Sequence, residues 1–189
     1  SQLMFMKITI PYGGFLAVTS PDQPLEAFSH TLREKGAEMA AIPESRLILA
    51  TWKQFPGQGL WHSEQGSVAY DLDLTNRGDL LSRLGVSPLE AMDPGELLWR
   101  LYQKEGLDFL DPLRGQFGFA LWDQADSTLI VATDFYGIRP VVYADLPQGL
   151  IAGTRIRNLL HTPGFKPEIN PEAIYHYLFF EAIPTPVTI

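Results

Sequence analysis

The sequence predicts an α+β fold in which the strands pair as antiparallel sheets. Short apolar segments of strand length cluster along the chain with few helical segments between them, which is typical of α+β folds and not of parallel βαβ arrays. The clearest pair is "GQFGFALWD", then the turn "QADS", then "TLIVATD", which predicts a hairpin over residues 115–134. With 46% hydrophobic and 19% charged residues, the chain can bury one sizeable core.

The first half of the chain predicts one amphipathic helix among strands. Residues 23–35 place Leu25, Phe28 and Leu32 on one helical face, and Gly36 stops the helix. The strands predicted in this half lie at residues 14–19, 46–51 and 67–74.

The strongest helix signal begins at Asp93. Asp93 suits the N-cap, Pro94 suits the first helical position, and Glu96 occupies the reciprocal place of a capping box. The helix ends at Gly106. Its predicted buried stripe consists of Leu97, Leu98, Leu101 and Tyr102.

Two further helices complete the prediction. Asn76 can cap a short helix that ends at Gly85, and Asn170 opens a final helix that ends near Phe180. The remaining short strands are predicted at residues 139–144 and 149–153.

Length and charge restrict the class of protein. The 189 residues predict a single domain that spans residues 1–189. The 22 acidic and 14 basic residues give a net charge of −8, which argues against nucleic acid or an anionic membrane as partner. No window of about 18 uninterrupted apolar residues occurs, so no membrane span is expected. The apolar ending "EAIPTPVTI" leads us to expect a domain cut from a longer protein.

Composition and spacing also exclude several kinds of site. Cysteine is absent, which excludes disulfides, thiolate metal sites and a cysteine nucleophile. The G-x-G of "FPGQGLW" lacks the third glycine and the strand-to-helix context of a phosphate loop, so it predicts a plain turn. The histidines lack metal-ligand spacing and are expected on surfaces or helix faces. They are His30, His62, His161 and His176.

One pair of carboxylates is placed for chemistry. Asp71 and Asp73 alternate in the strand predicted at residues 67–74, so both side chains lie on one face. Such a pair can perform acid–base work or hold a cation. A solvated strand face is the simpler interpretation, and the residues alone leave these alternatives open.

The second half of the chain resembles a known family. It contains, in order, "GELLWRLYQKEGLDFLDPLRGQFGFALWD", "LIVATDFYGIRPVVYA", "GLIAGTRIRNLLHTPG" and "INPEAIYHYLFFEAIPTP". This order resembles the N-terminal class II glutamine amidotransferase domain of glutamine-dependent asparagine synthetases. That domain carries F-L-x-x-L-x-G-x-F-A-F-A-L-W-D, then A-R-D-x-x-G-x-K/R-P-L-Y-Y, then I-P-x-P-x-T. The likeness is good over about half of the chain and weak before it.

The resemblance has implications for fold, cofactors and partners. It implies an N-terminal-nucleophile (Ntn) hydrolase fold, a four-layer αββα sandwich with two stacked antiparallel sheets. It implies no cofactor in this domain, with ATP and Mg²⁺ held by a C-terminal synthetase domain outside the chain. The expected partner is that synthetase domain in cis, with a homodimer as a further arrangement, and the expected location is cytoplasmic.

The family's catalytic residues are missing at the positions that match its motifs. Where the family has its N-terminal catalytic cysteine, "PYGGFLAV" places Tyr12 inside the chain, without a free α-amine beside it. A tyrosine phenol, with an ordinary pKa of about 10, is a poor replacement. The family's glutamine-binding R-G-P-D loop has no counterpart in "KGAEMAAIPESR". Ser1, the alternative nucleophile, lies far from the strand start.

The resemblance also aligns the family's oxyanion strand, N-G-E-I-Y-N, with residues 71–76. Asp71 and Leu72 then stand where an asparagine and a glycine form the oxyanion hole. An anionic carboxylate would repel the oxyanion, and the loss of one donor raises the barrier by about 3–4 kcal/mol. The family's aspartate for the substrate amino group falls near Asp93 or Pro94, depending on one gap, and Asp93 already has a role as a helix cap. The candidate ligand-binding residues at the positions that match the family's site are Asp71, Asp73 and, despite its capping role, Asp93.

These changes predict a degenerate, glutaminase-inactive amidotransferase-like domain that serves as a scaffold for the synthetase domain of an asparagine synthetase-family enzyme. A rival hypothesis is a small-molecule-binding regulatory module that uses the remodelled glutamine pocket. An active glutaminase with only its cysteine replaced is disfavoured, because that change would not remove the binding loop. In "ATDFYGIRPVVYA", Asp134 and Arg139 are interpreted as framework residues that flank a turn around Gly137.

Overall fold

Two stacked antiparallel sheets form the centre of the protein, and helices cover their outer faces. A computed structural model describes residues 14–19, 24–147, 149–160 and 162–184. All strand pairs are antiparallel. The predicted α+β class with two stacked sheets is therefore confirmed.

Within the described residues, the first sheet has five strands in the order β2-β3-β1-β9-β8. Its central strand is β1, which is buried along nearly its whole length because its residues are apolar on both faces. The strands are β1 (Gly14–Thr19), β2 (Glu38–Ile42), β3 (Leu47–Trp52), β8 (Val142–Leu146) and β9 (Gly149–Gly153).

The second sheet has four strands in the part of the chain that the structure describes, in the order β4-β5-β6-β7. The predicted hairpin is present as β6 and β7, with Asp123 paired to Thr128 at its turn. The strands are β4 (Gln58–His62), β5 (Gly66–Leu74), β6 (Gly115–Asp123) and β7 (Thr128–Thr133).

An apolar layer joins the two sheets. Phe15 and Ala17 of β1 meet Ala69 of β5 and Ala120 of β6 in this layer. The alanines are small, so the sheets can approach closely at the centre, while larger side chains such as Trp122 fill the periphery. Because Ala69 faces this layer, Asp71 and Asp73 also point toward the first sheet.

Helices form the two outer layers. On the first sheet, Phe28 and Leu32 of α1 are fully buried against the outward side chains of β1 and β3. On the second sheet, Leu97 and Leu101 of α3 are fully buried against β5 and β6. The helices are α1 (Leu25–Glu34), α2 (Arg77–Arg83), α3 (Pro94–Glu105), α4 (Ile156–Leu159) and α5 (Pro171–Phe180).

Several boundaries differ from the sequence-based prediction. β2 lies within "KGAEMAAIPESR", and β4 covers the end of "FPGQGLW", of which only the first part is a turn. Both are five-residue edge strands, too short for a clear alternation. The strand predicted at residues 139–144 begins only at Val142, because Arg139 and Pro140 belong to the preceding loop.

Asn76 does not cap α2 with its side chain, contrary to expectation. Its Nδ2 donates to the carbonyl of Pro112 at 2.8 Å, and its Oδ1 accepts from the N–H of Arg114 at 3.1 Å. The side chain therefore fixes the loop before β6 against the start of α2.

We expect Gly14→Ala to lower the free energy of unfolding by about 2 kcal/mol. Gly14 has a φ of +95°, and a Cβ there would overlap the hydroxyl of Thr154. That hydroxyl also accepts from the N–H of Phe15 at 3.1 Å. Chemical denaturation measures the change. Gly36→Ala is the matched control, since Gly36 also has a positive φ but its Cβ would meet open space.

Candidate functional site

The candidate site is built around Asp71, which lies near the end of β5. Its side chain is only 8% exposed, and its neighbours across the sheet are Gln58 in β4 and Gly118 in β6. The interpretation of a solvated strand face is therefore wrong for Asp71. It holds for Asp73, two residues further along the same face, which is exposed.

Gln58 holds one side of the Asp71 carboxylate. Its Nε2 donates to Oδ2 of Asp71 at 2.9 Å. Its Oε1 accepts from the backbone N–H groups of Gln54 and Phe55 at 2.9 and 3.2 Å. Both ends of this buried amide are thus satisfied, which fixes the orientation in which it meets Asp71.

Arg139 provides the positive charge beside Asp71. Its Nη1 lies 3.6 Å from Oδ1 of Asp71, and its side chain is 33% exposed. The arginine backbone passes over β6 at Gly118, where a Cβ would lie 3.0 Å from the Arg139 carbonyl oxygen. The absence of a side chain at position 118 therefore lets the loop approach the sheet closely enough for the ion pair.

Leu72, the second residue at the predicted oxyanion position, has no free backbone donor. Its N–H donates to the carbonyl oxygen of Gly57 at 2.8 Å. Its side chain is 5% exposed and packs in the core between the second sheet and its helices. Neither group of Leu72 is available to a ligand between the sheets.

Asp93 acts as the predicted helix cap. Its Oδ1 accepts from the N–H of Gly95 at 2.7 Å, while its Oδ2 accepts from the hydroxyl of Tyr70 at 3.0 Å. Burial, followed by the nearby Asp93 carboxylate, raises the pKa of the Tyr70 phenol. One turn into the helix, Glu96 forms an ion pair with Arg100, with 2.6 Å between Oε1 of Glu96 and Nη2 of Arg100. Tyr70 alternates with Asp71 in β5 and lies on the helix-covered face, so Asp93 serves the outer layer.

Asp134 organises the loop that carries Arg139. Its Oδ1 accepts from the N–H groups of Tyr136 and Ile138, and its Oδ2 accepts from those of Arg139 and Phe117, at 2.9–3.3 Å. Burial alone would raise the pKa of this carboxyl, but the four backbone donors together lower it below its ordinary value. The framework role predicted for Asp134 agrees with these contacts.

The interpretation of Arg139 as a turn residue is incomplete, because its side chain reaches Asp71. Gln58 was not a candidate in the sequence. A polar residue at the start of a short run that contains Leu60 and Trp61 is only a weak signal for Gln58, and no local pattern connects Arg139 with Asp71. Tyr12, Ser1 and His161 lie outside the described residues, so the structure does not place them.

Two further observations concern metal ions and membranes. Among the residues that the structure describes, no three His, Cys, Asp or Glu side chains cluster in a way that could hold a metal ion. No helix within the described ranges is long and apolar enough to cross a membrane.

Comparison with known proteins identifies relatives for the second half of the chain. Residues 81–189 match the family described as "Glutamine amidotransferase domain", and this match begins after Asp71. Asparagine synthetase (glutamine-hydrolyzing) 2 of Bacillus subtilis (strain 168) is 28% identical over 109 residues, which cover 57% of this chain and 15% of that protein. Asparagine synthetase (glutamine-hydrolyzing) 3 of the same organism is 28% identical over 160 residues, which cover 78% of this chain and 26% of that protein. The chain thus spans only a small part of the length of these relatives.

A solved structure supports the fold. The chain is similar to glutamine phosphoribosylpyrophosphate amidotransferase from B. subtilis complexed with ADP and GMP, with a TM-score of 0.52 and 17% identity. The similarity covers 75% of this chain and 41% of that one. It supports the predicted Ntn-hydrolase architecture. Because the family match covers more than half of the chain and the fold agrees, the chain belongs to the glutamine amidotransferase domain family and is related to asparagine synthetases.

Proposed function

We propose that this chain is a glutaminase-inactive amidotransferase domain of an asparagine synthetase-family enzyme. The observation that carries the proposal is the state of Asp71. A buried carboxylate, held by Gln58 and Arg139, occupies the position at which the family resemblance expects an amide that stabilises the oxyanion.

This arrangement opposes glutamine hydrolysis in two ways. The Asp71 carboxylate accepts hydrogen bonds and donates none, so it destabilises negative charge that develops nearby. The neighbouring Leu72 N–H is engaged with Gly57 and offers no second donor. Together with the absence of cysteine from the given sequence, these features support the proposal that the domain lacks both the nucleophile and the oxyanion hole.

The remaining role is structural. We propose that the domain packs against a synthetase domain of the same polypeptide, which would hold ATP and Mg²⁺ and form the amide from free ammonia or another amine. A cytoplasmic location goes with this function, because the cytoplasm supplies ATP. The relatives support the proposal, since the matched region is 15–26% of their lengths and leaves room for a further domain.

The chain should release no ammonia from glutamine above a buffer blank in a coupled assay. A second protein, Tyr12→Cys with residues 1–11 removed, separates the loss of the nucleophile from the loss of the site. We expect it to be inactive as well, because Asp71 and Leu72 remain. Asparagine synthetase (glutamine-hydrolyzing) 2 of B. subtilis provides the positive control. Ammonia release by the unmodified chain, or by the Cys variant, would contradict the proposal.

One observation favours a second function, the binding of a small molecule in the remodelled pocket. The Nε of Arg139 is buried and makes no hydrogen bond within the described part of the chain. An anionic ligand could accept from this group if the Arg139 side chain, which is 33% exposed, moves to admit it. A thermal-shift screen of amino acids and nucleotides tests the idea, because a ligand at about 100 Kd stabilises by roughly 2.7 kcal/mol. If the ligand no longer raises the melting temperature of the Arg139→Gln variant, the ligand is assigned to this site.

A further inference from the structure

Helix α5 has an unusual surface. Of its ten residues, Pro171–Phe180, only Ala173 is buried. The outward face is formed by Ile174, Tyr175, Leu178 and Phe179, whose exposed fractions are 40%, 55%, 73% and 67%. Tyr175 and Phe179 stack at a centroid distance of 4.4 Å. The face that would be polar on an ordinary surface helix is therefore apolar and aromatic.

This face is large enough to be an interaction surface. Large apolar side chains cover 150–250 Å² each, so the four outward residues expose on the order of 500 Å². The largest apolar patch on a typical monomer is about 300–600 Å² and often functional. A helix that is apolar around most of its circumference is typically buried, so we expect another surface to cover α5.

The chemistry of α5 restricts what that surface can be. The helix sequence "PEAIYHYLFF" contains no lysine or arginine and one glutamate, and the chain has a net charge of −8. Helices that lie on membranes carry basic residues that attract anionic lipids, so a lipid surface is disfavoured. The complementary surface is an apolar, uncharged protein surface.

We propose that α5 is the docking face for the domain that follows residue 189 in the intact protein. This inference rests on the proposed function, and the relatives favour it, because the matched region covers only 15–26% of their lengths. Chain geometry agrees. The segment after Phe180, residues 181–189, can span about 30 Å at most, so a domain attached there would begin within that distance of the end of α5.

The test compares the 1–189 chain with the full protein encoded by the continuing reading frame. Hydrogen–deuterium exchange of the backbone amides of residues 174–181 is the measurement. We expect exchange in this segment to be at least about tenfold slower in the full protein, because docking suppresses local opening of the helix. In full-length Leu178→Asp/Phe179→Asp, the rates should return to those of the 1–189 chain.

Controls separate docking from folding. Leu89→Asp replaces a side chain that is 93% exposed outside α5, so it should leave the protection of α5 unchanged. The double variant of the 1–189 chain should keep the melting temperature within about 2 °C, since both side chains are exposed there. Sedimentation velocity of both proteins shows whether a second copy covers the helix instead.

Three results would overturn the proposal: a reading frame that ends at residue 189, equal exchange rates in both proteins, or protection that appears only on dimerisation of the 1–189 chain. The first result would also contradict the proposed synthetase domain of the same polypeptide, whereas the other two bear on the docking surface alone, and none of the three depends on the ammonia assay. An active glutaminase with a protected α5 would contradict only the proposed function, and an inactive chain with an unprotected α5 would contradict only the docking surface.

Discussion

Replacing Asp134 with alanine should lower the free energy of unfolding by about 4 kcal/mol. The carboxylate accepts four backbone hydrogen bonds, and hydrogen bonds to a charged group contribute about 1.5–3 kcal/mol each without being additive. The N–H of Phe117 is buried and would lose this acceptor. Urea denaturation at pH 7 measures the change.

Two variants serve as controls for Asp134. Asp126→Ala removes an exposed carboxylate from the turn between β6 and β7 and should change stability by less than about 0.5 kcal/mol. Asp134→Asn should fall between wild type and alanine, because its oxygen serves two donors while its amide nitrogen meets the other two. An alanine variant as stable as Asp126→Ala would show that solvent replaces these hydrogen bonds at no cost.

The Asp134 contribution should also depend on pH. Its pKa is lower in the folded protein than in the unfolded chain, where an aspartate has a pKa of about 3.9. The stabilisation is therefore fully present well above that value and is lost as the pH falls through the folded pKa. The difference in stability between wild type and Asp134→Ala should shrink when the protein is unfolded at pH 3.5 instead of pH 7. A constant difference would contradict the lowered pKa.

Replacing Asp71 with alanine should lower the free energy of unfolding by about 3 kcal/mol. The substitution leaves the Nε2 of Gln58 without its acceptor and the partly buried guanidinium of Arg139 without its counter-charge. Breaking a buried ion pair by removing one partner typically costs about 3–5 kcal/mol, and the partial exposure of Arg139 places the effect at the lower end.

Asp73→Ala is the matched control for Asp71, since it removes the same group from the same face of β5 at an exposed position. We expect it to cost less than about 0.5 kcal/mol. A double-mutant cycle with Arg139→Met isolates the coupling between Asp71 and Arg139, which should exceed about 1 kcal/mol. Equal effects of Asp71→Ala and Asp73→Ala would show that the cluster contributes nothing to stability.

Local patterns in the sequence predicted much of the fold. The β6–β7 hairpin has a turn between two apolar runs, and α3 has a cap, a proline and an apolar stripe within a few residues of one another. Edge strands β2 and β4 lack such signals because their pairing depends on partners elsewhere. The same holds for the site. Asp71 could be singled out in the sequence, but its burial depends on Gln58 and Arg139, which only the folded sheets bring together.

The passage of the Arg139 loop over Gly118 has a consequence for the history of this domain. If an ancestor carried an amide at position 71, the acid and its arginine had to be accommodated together. An Asp71 carboxylate without Arg139, or an Arg139 guanidinium without Asp71, would be an unpaired charge and would destabilise the fold. A change of Asp71 to an amide alone would meet the same barrier, because it would leave the charge of Arg139 uncompensated. Such dependence among positions 71, 118 and 139 means that none of them can be replaced singly without a loss of stability.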